Sequence, residues 1–205
     1  TITGQANHAG TTPMDLRHDA GWAAAAIAAQ VRDIATRMGG RQVATVGRLD
    51  LQPNLVNVVA GTAVLTVDLR NTDEALLTEA EADLAAFVDG IAEAEGIQIE
   101  ARVLARFEPV AFNGSVVDTV AGTAESLGHA VSRMPSGAGH DAQMMARVCP
   151  TGMVFVPSRD GISHNPAEYT DPADLVAGVN VLLHILLALD NDAFKEGAPE
   201  EGETI

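Results

Sequence analysis

The sequence is poor in several residue types, and each shortage removes a class of function. Its 205 residues include one cysteine, Cys149. No intrachain disulfide can form, which suits a reducing compartment. Cys149 sits in Val148-Cys149-Pro150 beside an apolar run, a setting for a small buried hydrophobe rather than a nucleophile. Aromatic residues make up only 3%, so any core must be built from Ala, Val, Leu and Ile. Twelve Lys and Arg stand against 28 Asp and Glu, a formal net charge of −16. Phosphate is held by clustered Lys and Arg, so nucleic acid and anionic membrane surfaces are poor partners. No stretch reaches the roughly 18 uninterrupted apolar residues of a spanning helix. The longest candidate, Leu175 to Leu189, is broken by Asn180 and His184. The N-terminus lacks the basic-then-apolar pattern of a secretory leader, and a cytoplasmic location is expected.

What remains is a chain able to fold. Hydrophobic residues make up 47%, enough for packed cores, and the length allows one or two domains. Thr1 to Ala6 already alternates like a strand with no initiator Met before it, so the chain is expected to be a piece of a longer or processed protein.

Residues 1–7 read as a strand. Thr12-Pro13-Met14-Asp15 has the form of a helix start, with Thr12 as N-cap and Pro13 in the first turn. That helix is expected to run to about Met38, with Ile27, Val31, Ile34 and Met38 on one face and Gly39-Gly40 as the stop. Val43–Leu49 is a second strand. Val56–Val59 and Ala63–Arg70 form a third region around a turn at Gly61-Thr62. In it Leu65, Val67 and Leu69 face one way, and Thr66, Asp68 and Arg70 the other. A helix after Thr72 carries Leu77, Ala80, Leu84, Phe87 and Ile91 and ends at Gly96. Residues 97–105 alternate as a last strand. The order β-α-β-β-α-β predicts a ferredoxin-like four-stranded antiparallel sheet with both helices on one face.

Residues 107–113 look like a connection. A helix over Ser115–Leu127, a short strand before Pro135, a short helix after His140, a buried strand over 151–156 and a helix from Asp171-Pro172 follow. Alternation of helix and buried strand implies an incomplete mixed or parallel α/β layer. The expected division is therefore 1–110, 111–190 and an acidic disordered tail over 191–205.

Three loops place a histidine among Gly, Ser and Pro: Asn7 to Met14, Pro135 to Ala142, and Gly161 to Glu168. Loops of this kind expose reactive groups, and the three together suggest a hydrolytic, metal-assisted site. His164 follows the expected buried strand, where α/β sheets bind ligands; a loop histidine bonded to local backbone fits the pattern too. His140 and Asp141 follow Ser136-Gly137-Ala138-Gly139. Gly137 and Gly139 would let a substrate approach the backbone, and the next helix would aim N–H groups at an anion; the other reading is a plain turn into a helix. His8 is a cap partner or a catalytic group. Arg70 either grips a carboxylate with its planar fork or forms a solvated pair with Asp68. Asn57 either bonds a polar substrate or holds the turn after Pro53-Asn54. His18, His129 and His184 read as structural or surface residues. A catalytic zinc takes three protein ligands. The sequence has no HExxH and no second ligand cluster, so His164 would be one ligand of a larger site.

Taken in order, Asn7-His8-Ala9-Gly10-Thr11-Thr12-Pro13-Met14, Pro53 to Val59, Asp68-Leu69-Arg70, Ser136 to Gln143 and Gly161 to Glu168 resemble the allantoate amidohydrolase and N-carbamoyl-L-amino-acid hydrolase group. This group belongs to the di-metal aminoacylase and carboxypeptidase superfamily, and the resemblance covers about residues 1–190. It implies a metal-dependent hydrolase that cleaves a ureido or carbamoyl C–N bond and uses two divalent ions, zinc or manganese. It implies that residues 1–110 are a lid that mediates homodimerisation and that residues from 111 belong to the catalytic domain. By the same resemblance His164 is the last metal ligand, His8 stabilises an oxyanion in the partner's site, Asn57 and Arg70 bind the substrate, with Arg70 on its carboxylate, and the Gly137–His140 loop touches substrate. The family's remaining ligands and its water-activating glutamate lie in a segment without counterpart here, so the chain alone is expected to be inactive. A non-catalytic dimerisation or small-molecule binding module is the expectation from a different class.

One distance conflicts with these roles. In a hairpin symmetric about Gly61, Asn57 and Arg70 would lie roughly 16 Å apart.

Overall fold

The computed structural model describes residues 1–191. The tail expected over 191–205 lies, apart from the backbone of Asn191, outside the described residues. Two compact units divide the chain, Thr1–Pro109 and a second that begins at Val110.

The first unit is a split βαβ sandwich. Its strands are β1 (Ile2–Thr3), β2 (Asn7–His8), β3 (Val43–Gln52), β4 (Val58–Val59), β5 (Thr62–Arg70) and β6 (Gln98–Ile99), and its helices are α1 (Ala20–Met38) and α2 (Glu74–Glu95). The main sheet has the order β3-β5-β1-β6, and each pairing is antiparallel. This is the ferredoxin-like order expected from the sequence. Ile2, fully buried, sits at its centre opposite both Ala63 and Ile99. Ala23, Ala24, Ile27 and Val31 of α1 close over it, joined by Leu84, Phe87 and Ile91 of α2. Alanine dominates the inner face of α1 because small side chains let a helix lie close to a sheet when aromatic filler is scarce.

Register in the long hairpin depends on one extra residue. Ala44 and Val46 pair with Leu69 and Val67, while Leu49 and Leu51 pair with Leu65 and Ala63; the register shifts between Val46 and Arg48, leaving Gly47 unpaired. Even-numbered residues face the helices before this bulge and odd-numbered ones after it. A bulge resets the inward-outward phase that a period of two would otherwise break.

Three expectations need correction here. The first long helix does not begin at Thr12. A 3-10 turn at Met14–Leu16 intervenes, and Asp19 caps α1 by accepting the N–H groups of Gly21 and Trp22. The Thr12 hydroxyl points back to His8 O at 2.7 Å, so it has no part in capping. The last strand covers only Gln98–Ile99 rather than 97–105. Pairing with β1 ends where the Glu100 N–H donates to Thr1 O, and Val103 and Leu104 lie exposed. The β3–β5 hairpin does not turn about Gly61: Gln52 pairs with Thr62, and residues 53–61 leave the main sheet.

In the second unit α3 (Gly114–Ser126), α4 (Asp141–Met145) and α5 (Pro172–Asn191) fall where helices are expected. Asn113 caps α3 through its side chain. Val116 and Ala121 of α3 and Val181 and Ile185 of α5 are buried. No strand forms among the described residues of this unit, so neither the short strand before Pro135 nor the one over 151–156 is present. A buried parallel strand needs neighbours on both sides, and the segment finds helices instead: Gly152 lies against Val116, and Val156 against Gly178. Cys149 is exposed rather than buried, with Sγ near Met145 O.

Candidate functional site

His8 and Asn57 come together. β2 and β4 form a separate two-stranded ribbon with His8 opposite Val58, and the Ala9 N–H donates to Asn57 O at 2.9 Å. The 53–61 excursion exists for this pairing, and it explains why a simple hairpin misplaces Asn57. The His8 ring is fixed locally: Gly10 N–H donates to its Nδ1 at 3.0 Å. An acceptor at Nδ1 means that the neutral ring carries its proton on Nε2. The exposed His8 therefore presents an Nε2–H donor.

Arg70 is elsewhere. It ends β5, opposite Val43, whereas the ribbon adjoins the other end of that strand. The eight steps from Thr62 to Arg70 span about 26 Å at 3.3 Å per residue. Of the two readings of Arg70, the structure contains the ion pair: Nε donates to Asp68 Oδ1 at 2.8 Å and Nη2 to Oδ2 at 2.6 Å. The Arg70 hydrogen bond, opposed in part by desolvation and aided by the Coulomb attraction, holds the Asp68 carboxyl below its ordinary pKa. Asp68 likewise raises the Arg70 guanidinium. The guanidinium thus already grips one carboxylate in bidentate fashion on the solvent face of the sheet.

In the second unit His140 caps α4, its Nδ1 accepting the Ala142 N–H at 3.0 Å. It too exposes Nε2–H when neutral. The expectation of an anion at the α4 N-terminus does not hold. The helix has five residues, and its Ala142 and Gln143 N–H groups are taken by His140 Nδ1 and His140 O. Beyond their chain neighbours, no atom comes within 4 Å of where a Cβ would stand on Gly137 or Gly139, so that side of each residue is open.

His164 adopts a left-handed backbone, φ 56°, sparsely populated for a residue with a Cβ. Glu168, which sequence reasoning did not single out, accepts the His164 N–H at 2.9 Å, and Asn165 Oδ1 accepts that of Ala167. The i to i+4 spacing in His164-Asn165-Pro166-Ala167-Glu168 is the signal that could have found it. At the loop base Arg159 N–H donates to Tyr169 O at 2.8 Å, and its guanidinium lies 4.1 Å over the Tyr169 ring. The result is an exposed imidazole on a locally braced turn. Among the described residues no three His, Cys, Asp or Glu side chains gather into a metal cluster. His164 offers the kind of donor a transition metal takes, but one donor only.

His18 and His184 have structural partners, Glu95 O and Asn180 O, each at 2.8 Å from Nδ1.

These features define a mixed α/β chain whose ferredoxin-like unit and second unit each carry histidine-bearing loops. The chain belongs to the Peptidase family M20/M25/M40, whose family profile matches residues 7–188. It is 42% identical over 189 residues to an allantoate amidohydrolase of Escherichia coli, with 92% of this chain and 46% of that protein aligned. An N-carbamoyl-L-amino-acid amidohydrolase of Rhizobium meliloti is 40% identical over 187 residues, covering 91% and 45%. The crystal structure of a hydantoinase/carbamoylase family amidase from Burkholderia vietnamiensis superposes with a TM-score of 0.88 at 41% identity, over 91% of this chain and 45% of that one. The chain thus spans under half the length of the relatives it matches.

Proposed function

We propose that this chain supplies the lid, residues 1–110, and part of the catalytic domain, residues 111–190, of a metal-dependent cytoplasmic amidohydrolase that cleaves the ureido C–N bond of allantoate or an N-carbamoyl amino acid. The observation that carries this reading is the β2–β4 ribbon, which sets an Nε2–H donor on His8 beside Asn57. A fixed donor aimed at a developing oxyanion is worth far more than a mobile one. Arg70 binds the substrate carboxylate, exchanging or sharing it with that of Asp68. His140 and the backbone at Gly137 and Gly139 contact substrate. His164 supplies one imidazole ligand of a two-cation centre, zinc or manganese, whose other ligands lie outside this chain. The cations supply Lewis acidity.

The separation of the ribbon from Arg70 favours a site built from two copies. One small substrate cannot reach both ends of β5 in one lid. Among the described residues β3 is an outer strand of the main sheet, with β5 as its only neighbour there, and an open edge is a template for pairing. Antiparallel pairing of two β3 edges sets the Val43 end of one against the Gln52 end of the other. Arg70 of one copy then lies toward the His8–Asn57 ribbon of its partner. Met14, Leu16, Leu55 and Val56 flank that ribbon in sequence and are exposed, as suits a tip that docks against protein.

The test uses the enzyme that includes the ligand-bearing segment, assayed on allantoate and on N-carbamoyl amino acids. Arg70→Ala should lower kcat/KM about tenfold or more, chiefly through KM, the loss expected for one charged hydrogen-bonding pair. His8→Ala should lower kcat with metal content retained. Unchanged kinetics in both variants, or no hydrolysis of either substrate class, would leave the chain a binding or dimerisation module.

A further inference from the structure

Between His8 and α1 the chain folds back on itself, and one side chain closes the loop. Arg17 Nη2 donates to Ala9 O at 2.7 Å and Nε to Thr12 O at 3.2 Å. Arg17 is half-buried and is anchored at its own backbone, N–H to Met14 O, while the next residue, His18, accepts the Gln5 N–H through its carbonyl. Thr12 is buried and returns two bonds to His8 O, from its hydroxyl at 2.7 Å and its N–H at 3.1 Å. Arg37, Arg48, Arg70, Arg106 and Arg133 all form ion pairs with carboxylates; the bonds of Arg17 run instead to two main-chain carbonyls.

The choice of carbonyl matters. Ala9 C=O and Gly10 N–H belong to one peptide group, which is planar and turns as a unit. Gly10 N–H is the donor to His8 Nδ1. A cation fixed on the oxygen of this plane fixes the direction of its N–H, and a charge-assisted bond to the carbonyl also polarises the peptide and strengthens the opposite donor. We propose that Arg17 is a positioning residue for His8: through the Ala9–Gly10 peptide it holds the imidazole with Nδ1 as acceptor and Nε2 as donor. Its catalytic consequence rests on the reading of His8 as the oxyanion donor; the ring geometry does not.

Two measurements separate these levels. In this chain, nitrogen NMR of His8 should show an unprotonated Nδ1 and a protonated Nε2 above the imidazole pKa. Arg17→Ala should mix the tautomers and speed exchange of the Gly10 amide. Arg17→Lys, a point charge unable to span both carbonyls, should fall between. In the full enzyme Arg17→Ala should lower kcat on the order of tenfold to a hundredfold, the scale of a misplaced catalytic group, with KM little changed. A His8 ring protonated on Nδ1 in the parent chain overturns the proposal. So does an Arg17→Lys or Arg17→Ala chain that folds and keeps both the tautomer and the slow Gly10 amide. If the tautomers mix as expected but neither His8→Ala nor Arg17→Ala alters kcat, Arg17 still positions the ring and the reading of His8 is what falls. Loss of both kcat and KM together with a collapsed Tm in Arg17→Lys assigns Arg17 to folding alone, and the positioning role falls.

Discussion

Arg70 shows what a residue-scale reading can and cannot reach. Alternation in 64–70 placed it on the polar face with Thr66 and Asp68, and both it and Asp68 stand there, about half exposed. An exposed pair of this kind contributes about 0.2–1 kcal/mol. Since Arg70 holds the Asp68 pKa down in the folded chain, the contribution is present above the ordinary aspartate value of about 3.9 and fades as the pH falls through the lowered one. An NMR titration of the Asp68 carboxyl should find its midpoint below the ordinary range, and Arg70→Ala should return it there; an unmoved midpoint refutes the pairing in solution. His8, His140 and His164 were visible as histidines in Gly-rich loops, but their ring chemistry was not. Which nitrogen accepts a backbone N–H depends on the path of the next two residues, and sequence spacing carries no such direction. Thr12 misled for a related reason: its hydroxyl satisfies a cap as readily as a backward turn, and the bonds of Arg17 draw the loop into the turn.

At the scale of elements, periodicity located α1, α2, α3, α5, β3 and β5 because each has enough residues to show a period. It failed on short or partner-dependent pieces. β1, β2, β4 and β6 have two residues apiece, and each exists only because another segment lies alongside. The 97–105 alternation is as clean as that of β5, yet only Gln98 and Ile99 pair with β1. Gly4 illustrates how tightly these short pieces are set. A Cβ there would stand 2.1 Å from His18 O, so no side chain fits between β1 and the corner leading into α1. Gly4→Ala should lower Tm clearly and disturb the chemical shifts of the His8 ribbon, whereas Gly137→Ala, with open space around it, should leave both nearly unchanged. Equal stability of the two variants would mean that the corner yields.

For the whole molecule, the main sheet of the first unit was legible in its order, since its four strands and two helices complete one another, while the separate β2–β4 ribbon was not. The second was legible only in its helices. α5 carries Val176, Val179, Leu182, Leu183 and Leu186 exposed, against Val181 and Ile185 buried. A helix apolar nearly all round is a helix meant to be enclosed, and the chain aligns with under half of its relatives. By length and composition alone α5 also passes for a membrane span; Asn180 and His184 in its middle and its packing on α3 fit burial in protein better. The proposed two-copy site makes a sharp prediction at this scale. Mixing the impaired His8→Ala and Arg70→Ala enzymes under conditions that exchange subunits should give more activity than the sum of the two alone, because a mixed pair holds one intact set of side chains. If mixing recovers nothing while exchange is shown to occur, His8 and Arg70 do not meet across the dimer.

The unpaired Gly47 has a consequence for how this hairpin can change over evolutionary time. Adding or losing a single residue anywhere along β3 would turn one half of the strand inside out, taking Ala44 and Val46, or Leu51, off the core they pack against. Length variation here is therefore quantised. Homologous hairpins should differ by two residues, or by one on each strand, and a lone insertion should survive only where a second bulge has arisen to cancel it.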